Sequence, residues 1–241
     1  MNASRKTIST MATSLSFHWL RYRRFACSLG LSSLLLFLVI PTHPLEGESG
    51  RGIDEINEAG ARKIHETFSI YSVLNSQGVD LSEASVWNVA ETILEESLKQ
   101  SLDPMLVMAI IKVESGFRHK AVSSQGARGL MQIRPIVASA LAEDLGLKRW
   151  EGEKSLDDPV MNVKLGVFYL GYLKERFRNL KLALTAYNSG PSRVKKTIDN
   201  GEALPLGYAS RVLSAYHVYR RHSRKPQKVL PNSRQEGQMN L

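Results

Sequence analysis

The chain is poor in the residues that build crosslinks and metal centres. Its 241 residues include one cysteine, Cys27. A single cysteine excludes an intrachain disulfide and a thiolate metal cluster. Cys27 stands at the front of an apolar run and reads as a small apolar side chain; a lipid-bearing cysteine would stand behind such a run. The six histidines are scattered, and the nearest pair, His217 and His222, are five apart. That is no metal-ligand pattern, so neither a metal nor another cofactor is expected. There is no nucleophile elbow, phosphate loop or dinucleotide fingerprint. Clear period-two alternation is missing too, which argues against a sheet-based fold. No internal repeat is visible.

What the chain has in excess is positive charge. Lys and Arg number 32 against 23 Asp and Glu, a net charge of +9. Such a chain suits an anionic partner: nucleic acid, a membrane surface, or an acidic polymer such as a cell wall. Aromatics are not interleaved with the basic runs and no nucleic-acid motif is present, so nucleic acid is not expected. Apolar residues make up 43% of the chain, enough for a sizeable core. The length fits one ordinary domain with appendages.

The only long apolar run is 25–40, FACSLGLSSLLLFLVI, preceded by Arg21, Arg23 and Arg24 and ended by Pro41. It has the layout of a signal peptide. It is short for a span of ~20 residues, yet its basic flank also suits an uncleaved N-terminal membrane anchor. Either reading implies export to the periplasm or cell envelope, with membrane association through 25–40. Residues 41–82 read as a linker and N-terminal extension, with a short helix over 61–78. Residues 223–241 read as a basic mobile tail.

Between these ends the spacing predicts helices from Glu83 (Val86, Val89, Ala90, Ile93 and Leu94 on one face), 104–115, 136–145, from Pro159, 182–187 and 208–221. The decisive one is 104–115. Asp103 is a helix cap and Pro104 suits the first turn. Met105 to Val113 is apolar except for Lys112, as in a core helix. Glu114 ends this run, one turn on from Ile110 and Ile111. A carboxyl beside such a face loses water, which raises its pKa. A plain helix-end glutamate in solvent is the competing reading. The polar, glycine-rich loop that follows, Ser115 to Gly129, favours a cleft over a buried acid.

Three blocks resemble one family. Glu114-Ser115, Ser123, Gly126-Ala127 and Gly129-Leu130-Met131-Gln132-Ile133 form the pattern ES-(x)7-S-x-x-GA-x-GLMQI. Ala186-Tyr187-Asn188-Ser189-Gly190-Pro191 forms AYN-x-GP, and Tyr208, Arg211 and Val212 form Y-x-x-RV. Together they are similar to the soluble lytic transglycosylase (SLT) domain of the lysozyme-like superfamily, over roughly residues 83–222. The stretch before Tyr208, Ala203 to Gly207, departs from the family's usual acidic run.

The resemblance implies a mostly α, lysozyme-like (α+β) domain with a catalytic cleft. It implies Glu114 as the catalytic acid/base and Ser123, Met131, Gln132, Tyr187, Asn188 and Tyr208 as substrate-binding residues. The implied substrate is the peptidoglycan glycan strand. The implied reaction is non-hydrolytic cleavage between N-acetylmuramic acid and N-acetylglucosamine, leaving 1,6-anhydromuramic ends. Two alternatives stay open: a hydrolytic lysozyme on the same fold, and a non-catalytic wall-binding component of a secretion apparatus. Components of a secretion machine are candidate partners, since local wall opening suits a small exported enzyme.

Overall fold

The computed structural model describes residues 48–147 and 150–223. The signal-or-anchor run 25–40 and all of the tail beyond residue 223 lie outside the described residues. The described chain is helical: α1 Glu48–Ser76, α2 Glu83–Lys99, α3 Pro104–Glu114, α4 Pro135–Asp144, α5 Pro159–Phe177, α6 Leu180–Ser189, α7 Pro191–Asp199 and α8 Gly207–Ser223, with a 3-10 turn at Gly152–Asp157. Extended backbone among the described residues is limited to isolated bridges, Val122 with Arg128 and Arg128 with Ile133. The expected mostly α fold is what is found.

Local chemistry sets the helix starts. Ser82 caps α2, accepting from the Ser85 N–H at 3.3 Å. Asp158 caps α5 through the Val160 and Met161 N–H groups, with Pro159 in the first turn. Asp103 uses both carboxylate oxygens: Oδ1 accepts from the Met105 N–H at 2.8 Å, and Oδ2 from the Tyr216 hydroxyl at 2.7 Å. The second bond ties the start of α3 to α8.

α3 is the centre of the core. Met105 to Ile111 are all buried, and the five from Val107 to Ile111 have no exposed surface at all. α2 covers it with Val86, Val89, Ala90, Ile93 and Leu94, and α8 with Ala209, Val212 and the rings of Tyr208 and Tyr219. Burial of each large aliphatic side chain contributes roughly 1.5–3 kcal/mol.

Three features differ from the sequence expectation. Residues 48–60, read as linker, continue the helix that holds Thr67, Ile70 and Leu74 in the core. Propagation from a packed end outweighs their poor helix propensity. Lys63 fastens the helix to α2, with Nζ 2.9 Å from Glu95 and 3.4 Å from Glu91. α7 and the 3-10 turn were not expected. α7 buries only Val194, and its other large apolar residue, Ile198, is exposed, so too few apolar residues mark it as a core helix.

Candidate active site

α3 ends at Glu114, and the chain turns sharply. Gly116 and Phe117 both adopt left-handed backbone, φ +58° and +68°. For a bulky residue such as Phe117 this costs about 1–3 kcal/mol. Its ring is 2% exposed, edge-on to Tyr219 at 6.3 Å, with Lys112 Nζ 5.7 Å from its centroid. Burial of a phenylalanine ring is worth about the same as the strain, so the turn holds.

The loop from Ala121 to Ile133 is then clasped by its own backbone. Arg128 and Ile133 exchange N–H···O bonds at 3.1 Å each, and the Gly129 N–H donates to the Ala121 carbonyl at 2.9 Å. Ser123 Oγ accepts from the Ala127 N–H at 3.0 Å and the Gln125 N–H at 3.3 Å. Gln132 sits at φ +49° and its amide Nε2 donates to the Ala121 and Gly129 carbonyls at 2.9 and 3.0 Å. The Arg128 guanidinium forks onto Asp157 at 2.8 and 3.0 Å, tying the loop to the 3-10 turn. That pairing holds the Asp157 carboxyl below its ordinary range.

One residue that the sequence reading passed over anchors this loop. Asn162 on α5 has no exposed surface. Its Oδ1 accepts from the Met131 N–H at 2.8 Å, and its Nδ2 donates to the Arg128 carbonyl at 2.8 Å and the Leu156 carbonyl at 3.0 Å. Gly129 makes room for it: at φ +81°, a Cβ there would lie 2.0 Å from Asn162 Nδ2. The available signal was a lone amide inside the apolar run of α5.

Glu114 and Tyr208 meet directly. The Tyr208 hydroxyl donates to Glu114 Oε1 at 2.6 Å, across 94 residues of sequence. Burial pushes the Glu114 carboxyl up to about 6; the Tyr208 hydrogen bond and the Arg211 charge pull the other way and lose. None of the groups that act on it is a carboxylate. At about 6 both the protonated and the ionised form are populated within about a pH unit of neutrality, so the group can give up a proton and take one back. Tyr187 is close enough to feel that charge: burial first, then the Glu114 carboxylate, drive its phenol well above the ordinary range. Its hydroxyl donates to the Met131 carbonyl at 2.9 Å, and its ring lies 5.5 Å from that of Tyr169.

The structure therefore brings Glu114, Tyr208 and Tyr187 to one place, with Gln132 on the adjoining loop. Met131 is a correction to the expectation of side-chain contact: it has no exposed surface and packs against Gly166, where a Cβ would meet its Sδ at 2.5 Å. Its side chain belongs to the core beneath the loop, and its carbonyl is occupied by Tyr187. Ser123 is half-buried and serves the loop turn, while Asn188 is exposed at the end of α6. Neither hydrogen-bonds to Glu114. Among the described residues no group of three or more His, Cys, Asp or Glu could hold a metal ion, and no helix is long and apolar enough to cross a membrane.

Comparison with known proteins places this geometry. Residues 91–205 match the model of the transglycosylase SLT domain. A soluble lytic murein transglycosylase of Salmonella typhimurium is 35% identical over 130 residues, 48% of this chain and 20% of that one. A membrane-bound lytic murein transglycosylase E of Buchnera aphidicola is 33% identical over 121 residues, 46% of this chain and 53% of that one. The chain thus spans from a fifth to about half the length of these relatives. Among solved structures, the 70 kDa soluble lytic transglycosylase of Escherichia coli aligns over 63% of this chain and 29% of its own, with a TM-score of 0.53 and 26% identity. An inactive glutamate-to-glutamine mutant of lytic transglycosylase Slt from Pseudomonas aeruginosa aligns over 56% of this chain and 24% of its own, at a TM-score of 0.50 and 29% identity. Over residues 91–205, a little under half of its length, the chain is thus similar to the transglycosylase SLT domain, and the relatives that match it are lytic murein transglycosylases.

Proposed function

We propose that the protein is a peptidoglycan lytic transglycosylase of the cell envelope, with Glu114 as its one acid/base. The observation that carries this is the lone, partly dehydrated Glu114 carboxyl, raised to about 6 and held by Tyr208. The names of the relatives support the reaction, and the inactive glutamate mutant among the solved structures supports an essential carboxyl.

Ordinary glycosidases place two carboxyl groups about the scissile bond. A site with one must take its second group from the substrate. Protonated Glu114 gives its proton to the oxygen bridging N-acetylmuramic acid and N-acetylglucosamine. The C1–O bond breaks, and the 2-acetamido group of the muramic residue supports the positive charge at C1. Glu114, now a carboxylate, removes the proton of the muramic C6 hydroxyl, whose oxygen bonds to C1. The products are a free N-acetylglucosamine 4-hydroxyl end and a 1,6-anhydromuramic end. No water enters, and Glu114 ends protonated as it began.

In this reading Tyr208 orients the carboxyl. Gln132, Tyr187, Ser123 and Asn188 line the approach of the amino sugars, and Met131 supports the loop from below. An aromatic face and side-chain amides suit N-acetylated sugars.

The test is digestion of purified sacculi with product masses read out. Anhydro ends, lighter by one water than reducing ends, are expected. Products carrying reducing ends only would assign hydrolysis instead. Glu114→Gln is expected to lower the rate by roughly 10²–10⁴-fold; a folded Gln variant with full activity would overturn the assignment.

A further inference from the structure

Arg211 has no role in the chemistry above. It lies on α8 three residues after Tyr208, so the two share a helix face. Tyr208 points inward and is 4% exposed, whereas Arg211 is exposed. The guanidinium carbon sits 5.9 Å from the centroid of the Tyr208 ring. The phenol is thus held at two ends: its hydroxyl donates to Glu114 at 2.6 Å, and its face meets a cation. A cation over an aromatic face is attracted to the ring and fixes its plane.

We propose that Arg211 is a positioning residue that sets the pH range over which Glu114 works, by its charge and by clamping the ring of Tyr208. This rests on the function proposed above.

The physical case is a balance. Burial favours the protonated acid, which suits the first half of the reaction and hinders the second, when Glu114 must stand as a base. A fixed positive charge nearby opposes burial without filling the cleft. Arg211 supplies it from an exposed position against the tyrosine ring. The groups that act on the carboxyl are Tyr208 and Arg211 from α8, and Tyr187 on α6 feels its charge in turn. On α3 itself, Lys112 is engaged with Gln77 and the Phe117 ring, and does not shift Glu114. Among the described residues, Arg211 is therefore the cation that acts on the acid.

The test compares R211M, R211Q and R211K with the wild-type chain. R211M keeps the length and the apolar contact with the ring but loses the charge, and R211Q is a second neutral variant. R211K keeps the charge. Two readouts are taken: the pH profile of sacculus digestion, and direct NMR titration of the Glu114 carboxyl, which needs no turnover. An exposed unit charge acting on a nearby carboxyl moves its midpoint by roughly 0.3–0.8 pH unit. The neutral variants are expected to shift the titration and the alkaline limb of activity upward by that amount, and R211K to restore both. Unmoved midpoints in folded R211M and R211Q overturn the proposal, as does a shift in R211K equal to theirs. A wild-type chain inert on sacculi would sink the proposed reaction alone, since the titration still decides the role of Arg211.

Discussion

The raised proton affinity of Glu114 makes a prediction about stability that is independent of substrate. Its carboxyl has an ordinary value of 4.5 and is pushed up to about 6 in the folded chain. A group whose folded pKa is raised is no burden below its unfolded value. Between 4.5 and about 6 the unfolded chain gives up the proton while the folded chain retains it, so folding is progressively penalised. Above that window the penalty is constant. The difference between 4.5 and about 6 corresponds to about 2 kcal/mol, and partial solvent access at the half-buried side chain brings this to about 1–2 kcal/mol. Glu114→Gln removes the titration while keeping an oxygen to accept the Tyr208 hydroxyl. The variant should therefore melt at the wild-type temperature near pH 4, and higher by about 2–6 °C near pH 7.5. Thermal melts across this range, followed by circular dichroism, measure the gap directly. A gap that is absent at neutral pH, or the same at every pH, would refute the argument that the carboxyl is dehydrated.

Other outcomes follow from the same contacts. Tyr208→Phe removes the 2.6 Å hydrogen bond that favours the Glu114 anion; the alkaline limb of activity should move to higher pH, and the rate should fall by about tenfold or more. Asn162→Ala leaves the buried Met131 N–H without a partner and frees two carbonyls; a loss of about 2–4 kcal/mol is expected in chemical denaturation, with activity lost alongside. Gly166→Ala drives a methyl to within 2.5 Å of Met131 Sδ and 2.8 Å of its Cβ; a loss of about 1–3 kcal/mol is expected in the same assay. Gly129→Ala should be worse, because the added Cβ meets backbone at Leu156 as well as Asn162, and its φ of +81° is unsuited to a side chain.

What the sequence disclosed was local. The caps Ser82, Asp103 and Asp158 work within three residues of themselves, so their residue types announce the helices they start. The run Met105 to Ile111 announced a core helix because nearly every position is apolar, leaving no face for solvent. The dehydrated end of that helix was legible for the same reason. The pairing of Glu114 with Tyr208 was not, because nothing in either neighbourhood encodes a contact 94 residues away; resemblance to a known family brought it forward. Asn162 left only a weak signal, because a lone amide in an apolar helix also fits a solvent-facing position, and only the fold shows three backbone groups converging on it. Resemblance also misled once, at Met131. The motif identifies the residue, but its side chain fills the space above Gly166 instead of facing a ligand.

Asn162 also decides how the cleft can move. Its single amide joins the Arg128–Met131 loop, the Leu156 turn and helix α5. None of the three can peel away without stranding a polar group inside the protein. The wall on this side of Glu114 should therefore open as one block or stay shut, and its backbone amides should trade protons for deuterons at a common, slow rate. A glycan strand bound as proposed above would therefore meet a wall that moves, if it moves, as a unit.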